Sequence, residues 1–204
     1  MNVRSYYRFV LPVLILLLVY LLVIQHREST VLEKAISNRL NEELHALTAA
    51  IEEIDRLYDD VTASGQMTEE QARILMTRYE DIRNWINGYR ALAVDLKERD
   101  ESYRYDTSSY NADRLTHLYA DWHVSLIDNA SAADLGEQKM RIVDAANQLH
   151  DSWNEIAIRN RSVAFLLHKP SWLQLLDDME AGTTAFLDER ELNSIEQVWF
   201  DRDE

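Results

Sequence analysis

Residues Phe9 to Gln25 read FVLPVLILLLVYLLVIQ, a run of 17 residues without a charge. As a helix this run rises roughly 25 Å, the short end of what crosses the hydrocarbon core of a bilayer. Tyr6, Tyr7 and Tyr20 suit interfacial positions, and Pro12 falls in the first turns, where a helix tolerates it. A cleaved export signal ends in small residues, but this run exits into Gln25-His26-Arg27-Glu28. The segment 9–25 is therefore expected to be an uncleaved transmembrane anchor, with 1–8 as a short tail and 26–204 as one domain. Arg4 and Arg8 crowd the tail side, whereas Arg27, Lys34 and Arg39 are spread along the other flank. That density places the N-terminus inside and the domain outside the cytoplasm.

The domain reads as all-helical. The chain holds 4 Gly and 2 Pro, far fewer than turn-rich β folds require. It has no cysteine, which excludes disulfides, thiol catalysis and Cys-ligated metal centres. The net charge is −15; leaving out Arg4 and Arg8, 19 basic residues face 36 acidic ones, so the domain stands near −17. Such a field repels nucleic acid and anionic headgroups, and no nucleic-acid partner is expected.

Thr30-x-x-Glu33 has the form of a capping box and predicts a fresh helix after the anchor. Leu40, Leu44, Leu47, Ile51, Ile54, Tyr58 and Val61 then recur at alternating spacings of four and three, a heptad seam that stops at Ser64-Gly65. Thr68-x-x-Gln71 opens a second helix with the same alternation through Leu75, Tyr79, Ile82, Ile86, Tyr89, Ala93 and Leu96. Two such helices joined by a short turn form an antiparallel hairpin, 30–100. The stretch 101–110 (ESYRYDTSSY) reads as a loop, and helices follow over 111–200. The third runs from about Asn111 to Asp128. Ser131 followed by Asp134 marks the start of the fourth, which carries Ile142, Ala146, Leu149, Trp153, Ile156, Asn160, Val163 and Leu167 toward an end near His168, before Pro170. A short helix capped by Ser171 stops at Gly182, and a last one spans about Thr184 to Phe200. These unequal lengths do not make a flush four-helix bundle. Merged helices, a broken helix or pairing of a seam with a second copy would each reconcile them. The expected fold is an anchor followed by an elongated antiparallel bundle with coiled-coil-like packing.

Sites for chemistry are sparse. Asp113, His117 and Asp121 fall on one face of the third helix at i, i+4 and i+8, the best metal candidates, although such pairs more simply support an exposed helix. Glu42-x-x-His45 lacks the second motif of a di-iron bundle and faces outward in the seam's register. Asn160 at a core-type position is the kind of residue that fixes register or partner number. Tyr103, Tyr105 and Tyr110 make a hydrogen-bonding aromatic surface suited to a protein or glycan partner, or fold back over the bundle end. No phosphate loop, nucleophile–base pair or cofactor motif is visible, so no catalytic residue and no cofactor is expected. The layout is similar to small envelope and division-associated proteins and to helical receptor sensor domains. Sensors normally return through a second span, and nothing after residue 25 is apolar enough for one. The expected function is that of a non-enzymatic, membrane-anchored interaction or scaffolding protein of the cell envelope, a homodimer being one option. The alternatives are a ligand- or cation-sensing regulator and a cytoplasm-facing scaffold.

Overall fold

The computed structural model describes residues 3–127 and 132–200; for residues 3–13, 15, 16, 19 and 200 it describes the backbone alone. Helix α1, Val3–Ser64, runs 62 residues without a break. The restart predicted at Thr30 does not occur. Thr30 Oγ1 donates to the His26 carbonyl at 2.8 Å, a back-bond within a continuous helix. The reason is propagation: neither Gly nor Pro stands between Val13 and Ser64, and extending a formed helix requires no new nucleus. The charge-free run lies on this helix, but the side chains of residues 9–13, 15, 16 and 19, and with them the expected anchor, fall outside the described residues. Among the described residues no helix is long and apolar enough to cross a membrane.

The hairpin follows the heptad reading. Every residue of the seam from Leu40 to Val61 is buried. Gly65 ends α1 at φ +66°, a left-handed conformation that suits glycine. Strand β1, Gln66–Met67, leads to Thr68, whose side chain accepts from the Gln71 amide while Gln71 Oε1 accepts from the Thr68 amide. This reciprocal cap opens α2, Glu69–Asp95, whose seam is buried from Leu75 to Ala93. Strand β1 pairs antiparallel with β2, Ala133–Asp134, and ties the two top loops together.

Beyond the hairpin, several expected boundaries move. A 3-10 turn, Glu101–Arg104, replaces part of the loop, and α3, Thr107–Leu126, starts at Thr107 rather than Asn111. Its first amides are satisfied from two directions. Asp106 accepts from Ser109 N–H at 2.7 Å, and the distant Glu180 carboxylate accepts from Thr107 and Ser108 N–H at 2.9 and 3.1 Å. Helix α4, Gly136–Asn160, follows an Asp134 carboxylate that accepts from Gly136 N–H; Ser131 lies outside the described residues. It ends well before His168, so Val163 and Leu167 do not continue its seam. The segment after it folds back on α1, where Asn41 Oδ1 and Ser37 Oγ accept from Phe165 and Leu167 N–H and Phe165 is buried. Helix α5, Ser171–Glu189, passes through Gly182 instead of stopping there. Gly182 serves close approach: a Cβ would stand 3.4 Å from Ile156 of α4. Ser171 gives no cap; Pro170 occupies that position without a side-chain bond. The helix expected over Thr184 to Phe200 is split, with an irregular turn before a short α6, Gln197–Phe200.

Helices α1 to α5 alternate in direction, and the length problem resolves within one chain. Helix α3 spans roughly 30 Å against about 40 Å for α2. Helix α5 and the segment after it fill the remaining space. Its Asp177 meets Arg99, its Trp172 packs edge-on against Tyr89, and Ile195 N–H donates to the buried Asn111 Oδ1. The Leu40–Val61 seam is covered by α2 and α4 of the same chain, so it is not the surface for a second copy.

Candidate functional site

The polar groups of the domain converge at two places. The first is a buried hub where α1, α2, α3 and α4 meet. Tyr58 Oη shares hydrogen bonds with Tyr79 Oη at 2.8 Å and Tyr119 Oη at 2.9 Å, and all three side chains are fully buried. His150 packs edge-on against Tyr58 and Tyr79 with ring centroids 5.7 and 6.4 Å away. Neither of its ring nitrogens makes a hydrogen bond of acceptable geometry among the described residues. Burial pushes the imidazole down to about 3, against a smaller opposing influence from the Ile51 backbone, so it is neutral across the physiological range. The tyrosines are legible as seam residues, but their three-way junction is not. His150 could have been found from its place in a second apolar row, Val143, Ala146, His150, Trp153 and Ala157. The hub is sealed from solvent and ties the four helices together through packing and shared hydrogen bonds.

The second place is the start of α3, where the predicted tyrosine loop lies. Here the three tyrosines separate. Tyr103 folds back over the bundle: Arg90 stacks on its ring at 3.9 Å, and its hydroxyl donates to Asp177 at 2.7 Å. Tyr105 is 84% exposed and Tyr110 is 45% exposed. These two flank an open cleft of about 650 Å³, lined also by Arg83, Asn87, Arg104, Asp106, Asp113, Glu180 and Asn193. Beneath its floor the buried Arg90 donates to the Tyr103 carbonyl at 2.7 Å and stands 3.6 Å from Asp106. Burial raises the Asp106 carboxyl, and the Ser109 hydrogen bonds and Arg90 oppose that rise. Behind it, Trp153 Nε1 donates to Thr183 Oγ1, which shares a hydrogen bond with Ser108 Oγ. Arg90, Glu180 and Thr183 were missed in the sequence because their partners lie far away along the chain.

The charges around this cleft are already paired. Asp113 accepts from Arg83 at 2.7 Å and from Arg114 at 2.5 Å. Burial works to raise its carboxyl, but these bonds and nearby His117 outweigh it and hold the group below its ordinary range. His117 Nε2 lies 3.6 Å from Asp113, and Asp121 is exposed further along the helix. Among the described residues no group of three or more His, Asp or Glu is placed to hold a metal ion. Glu42 is exposed, and His45 packs edge-on against Phe165. Asn160 sits at the half-exposed end of α4, where its amide donates to the Ile156 carbonyl. It closes a helix end there, and its side chain does not line the core. Among the described residues, the cleft-lining side chains without a polar partner, such as the exposed Tyr105 and the amides of Asn87 and Asn193, are neutral. No protein-family model, no curated protein and no solved structure matches the chain.

Proposed function

We propose that the chain is a membrane-anchored, non-enzymatic interaction or scaffolding protein of the cell envelope, with its helical bundle held outside the cytoplasm. The observation that carries this reading is the continuity of α1. One helix takes the charge-free run and, without a joint, supplies the buried seam of the domain. Leu14, Leu17, Leu18, Leu21, Leu22 and Val23 are each more than half exposed, with no protein surface covering them among the described residues. Bilayer lipid is the surroundings that make such a helix favourable. The basic tail supports the inside position of the N-terminus. The cleft flanked by Tyr105 and Tyr110 is the face offered to a partner protein, since exposed tyrosines combine apolar area with hydrogen bonding at low entropic cost. The pairing of Asp113 with two arginines disfavours a cation sensor, because a cation would have to displace both.

The absence of cysteine permits a direct test. Single cysteines at the exposed positions Thr62 and Ser162 are treated in intact cells with a membrane-impermeant thiol reagent. Labelling of both without lysis, with the protein retained in membranes after alkaline extraction, is the expected result. Labelling only after lysis would reverse the topology and leave a cytoplasm-facing scaffold. Release of the protein into the soluble fraction would remove the anchor.

A further inference from the structure

Helix α1 carries two stripes at the same four–three spacing. The first is the buried seam. The second, turned away from the bundle, includes Leu18, Leu21, Leu32, Ala35, Ala46 and Ala49, with the polar Gln25 and Glu28 at the two positions between Leu21 and Leu32, every one of them exposed. Leu32 is 62% exposed and its neighbour Val31 is 71% exposed, at the edge of the bundle where His168 comes within 3.6 Å of Glu33 but leaves both apolar side chains open. We infer that this outward face of α1 is the interface of a parallel homodimer. The parallel sense rests on the anchoring proposed above, since two copies held by the same membrane present α1 in the same direction.

Three features select a second copy of this chain as the occupant. The period itself is the first: a four–three stripe on a long unbroken helix fits the identical stripe of a parallel neighbour when the two wind slightly around each other. Alanines at 35, 46 and 49 let the two backbones approach where the bundle would otherwise hold them apart, and Leu32 packs against its own copy. The second is charge complementarity. Between Ala35 and Ala46 the stripe carries Arg39 and Glu42. Arg39 is held only by an exposed pair with Glu43, and Glu42 has no partner among the described residues. In a twofold parallel pair, Arg39 of each copy lies one layer from Glu42 of the other. The third is the field. The domain stands near −17, yet residues 26–43 hold Arg27, Lys34 and Arg39 against Glu28, Glu33, Glu42 and Glu43. Two copies therefore meet where their mutual repulsion is weakest. A lipid surface fits less well, because the acidic domain repels anionic headgroups and the stripe runs on in line with the charge-free segment.

Disulfide scanning of the full chain in membranes tests this against a background free of native thiols. Single cysteines replace Leu32, Ala35 and Ala46 on the stripe, and Thr30 and Lys34 off it; all five positions are exposed, so folding is not at stake. Mild oxidation is expected to give a reducible dimer band at the first three and little at the last two. In the Leu32→Cys background, Arg39→Glu lowers the dimer yield about fivefold, and adding Glu42→Arg restores it. Equal bands at all five positions, no band at any, or no restoration by the charge exchange would overturn the interface. Loss of the protein from the membrane fraction would instead count against the anchor, so the two failures are separable.

Discussion

Between pH 6.5 and 4.5 acid should destabilise this bundle chiefly through His150, whereas carboxyls held low by their partners, such as Asp113, add their loss as the pH falls further. In the unfolded chain the His150 imidazole titrates near 6.5, whereas burial beside Tyr58 and Tyr79 pushes it down to about 3. Between those values the unfolded chain binds a proton that the native core refuses, so stability falls as the pH drops through that window. The slope is on the order of 1.4 kcal/mol per pH unit, and from pH 6.5 to pH 4.5 the loss is roughly 2–3 kcal/mol. Set against typical domain stabilities of about 5–15 kcal/mol, that is a readable fraction. Three carboxyls act in the opposite sense. Asp55, Asp106 and Asp151 are raised, chiefly by burial, so acidification relieves an unfavourable charge at each of them. The test is urea unfolding of the full chain in a non-ionic detergent at pH 7.0, 5.5 and 4.5, followed by circular dichroism, for the native protein and for His150→Leu. The native midpoint is expected to fall steadily. The variant, with no proton to take up at that site, is expected to stay level or gain stability. A variant that loses stability with pH as steeply as the native protein would refute the assignment.

Tyr58→Phe removes the shared partner of two buried hydroxyls and should cost about 2–4 kcal/mol, more than Tyr79→Phe, as read from denaturation midpoints. Thr68→Ala breaks the reciprocal cap of α2 and should cost about 1 kcal/mol, with faster amide exchange confined to the first turn of that helix. Glu180→Ala strips the carboxylate from the Thr107 and Ser108 amides and should cost about 1–3 kcal/mol. Amide exchange would then rise at the start of α3 while α2 stayed protected, and unchanged exchange there would count against the long-range cap.

The heptad spacing made the α1–α2 hairpin legible to single residues from Leu40 to Ala93, because periodicity and a local capping box are encoded within a few positions of each other; Leu96, read as the last seam residue, lies at the end of α2 and is exposed. Elsewhere the decisive partners are distant. The start of α3 depends on Glu180, the end of α4 on Ser37 and Asn41, and the passage of α5 through Gly182 on the proximity of Ile156. Thr30-x-x-Glu33 misled for the opposite reason. Its local signal is real, but a helix already running through it outweighs a new start. The tyrosine loop was legible as a surface but not as a division of labour, since stacking of Tyr103 beneath Arg90 depends on an α2 residue that no local pattern singles out. The buried imidazole was hidden by its chemistry: a histidine in an apolar row reads as a helix-face residue until burial is known.

One unbroken helix joins the charge-free segment to the core of the bundle, and under the proposed anchoring it would hold the domain at a set distance from the membrane. Spin labels at Gln25→Cys and Thr62→Cys, with labelled chain diluted in unlabelled chain, measure it by electron–electron resonance. A continuous α1 predicts a narrow distribution near 55 Å from the rise of 1.5 Å per residue. A broad or markedly shorter distribution would place a joint between the charge-free segment and the seam and would contradict a continuous α1.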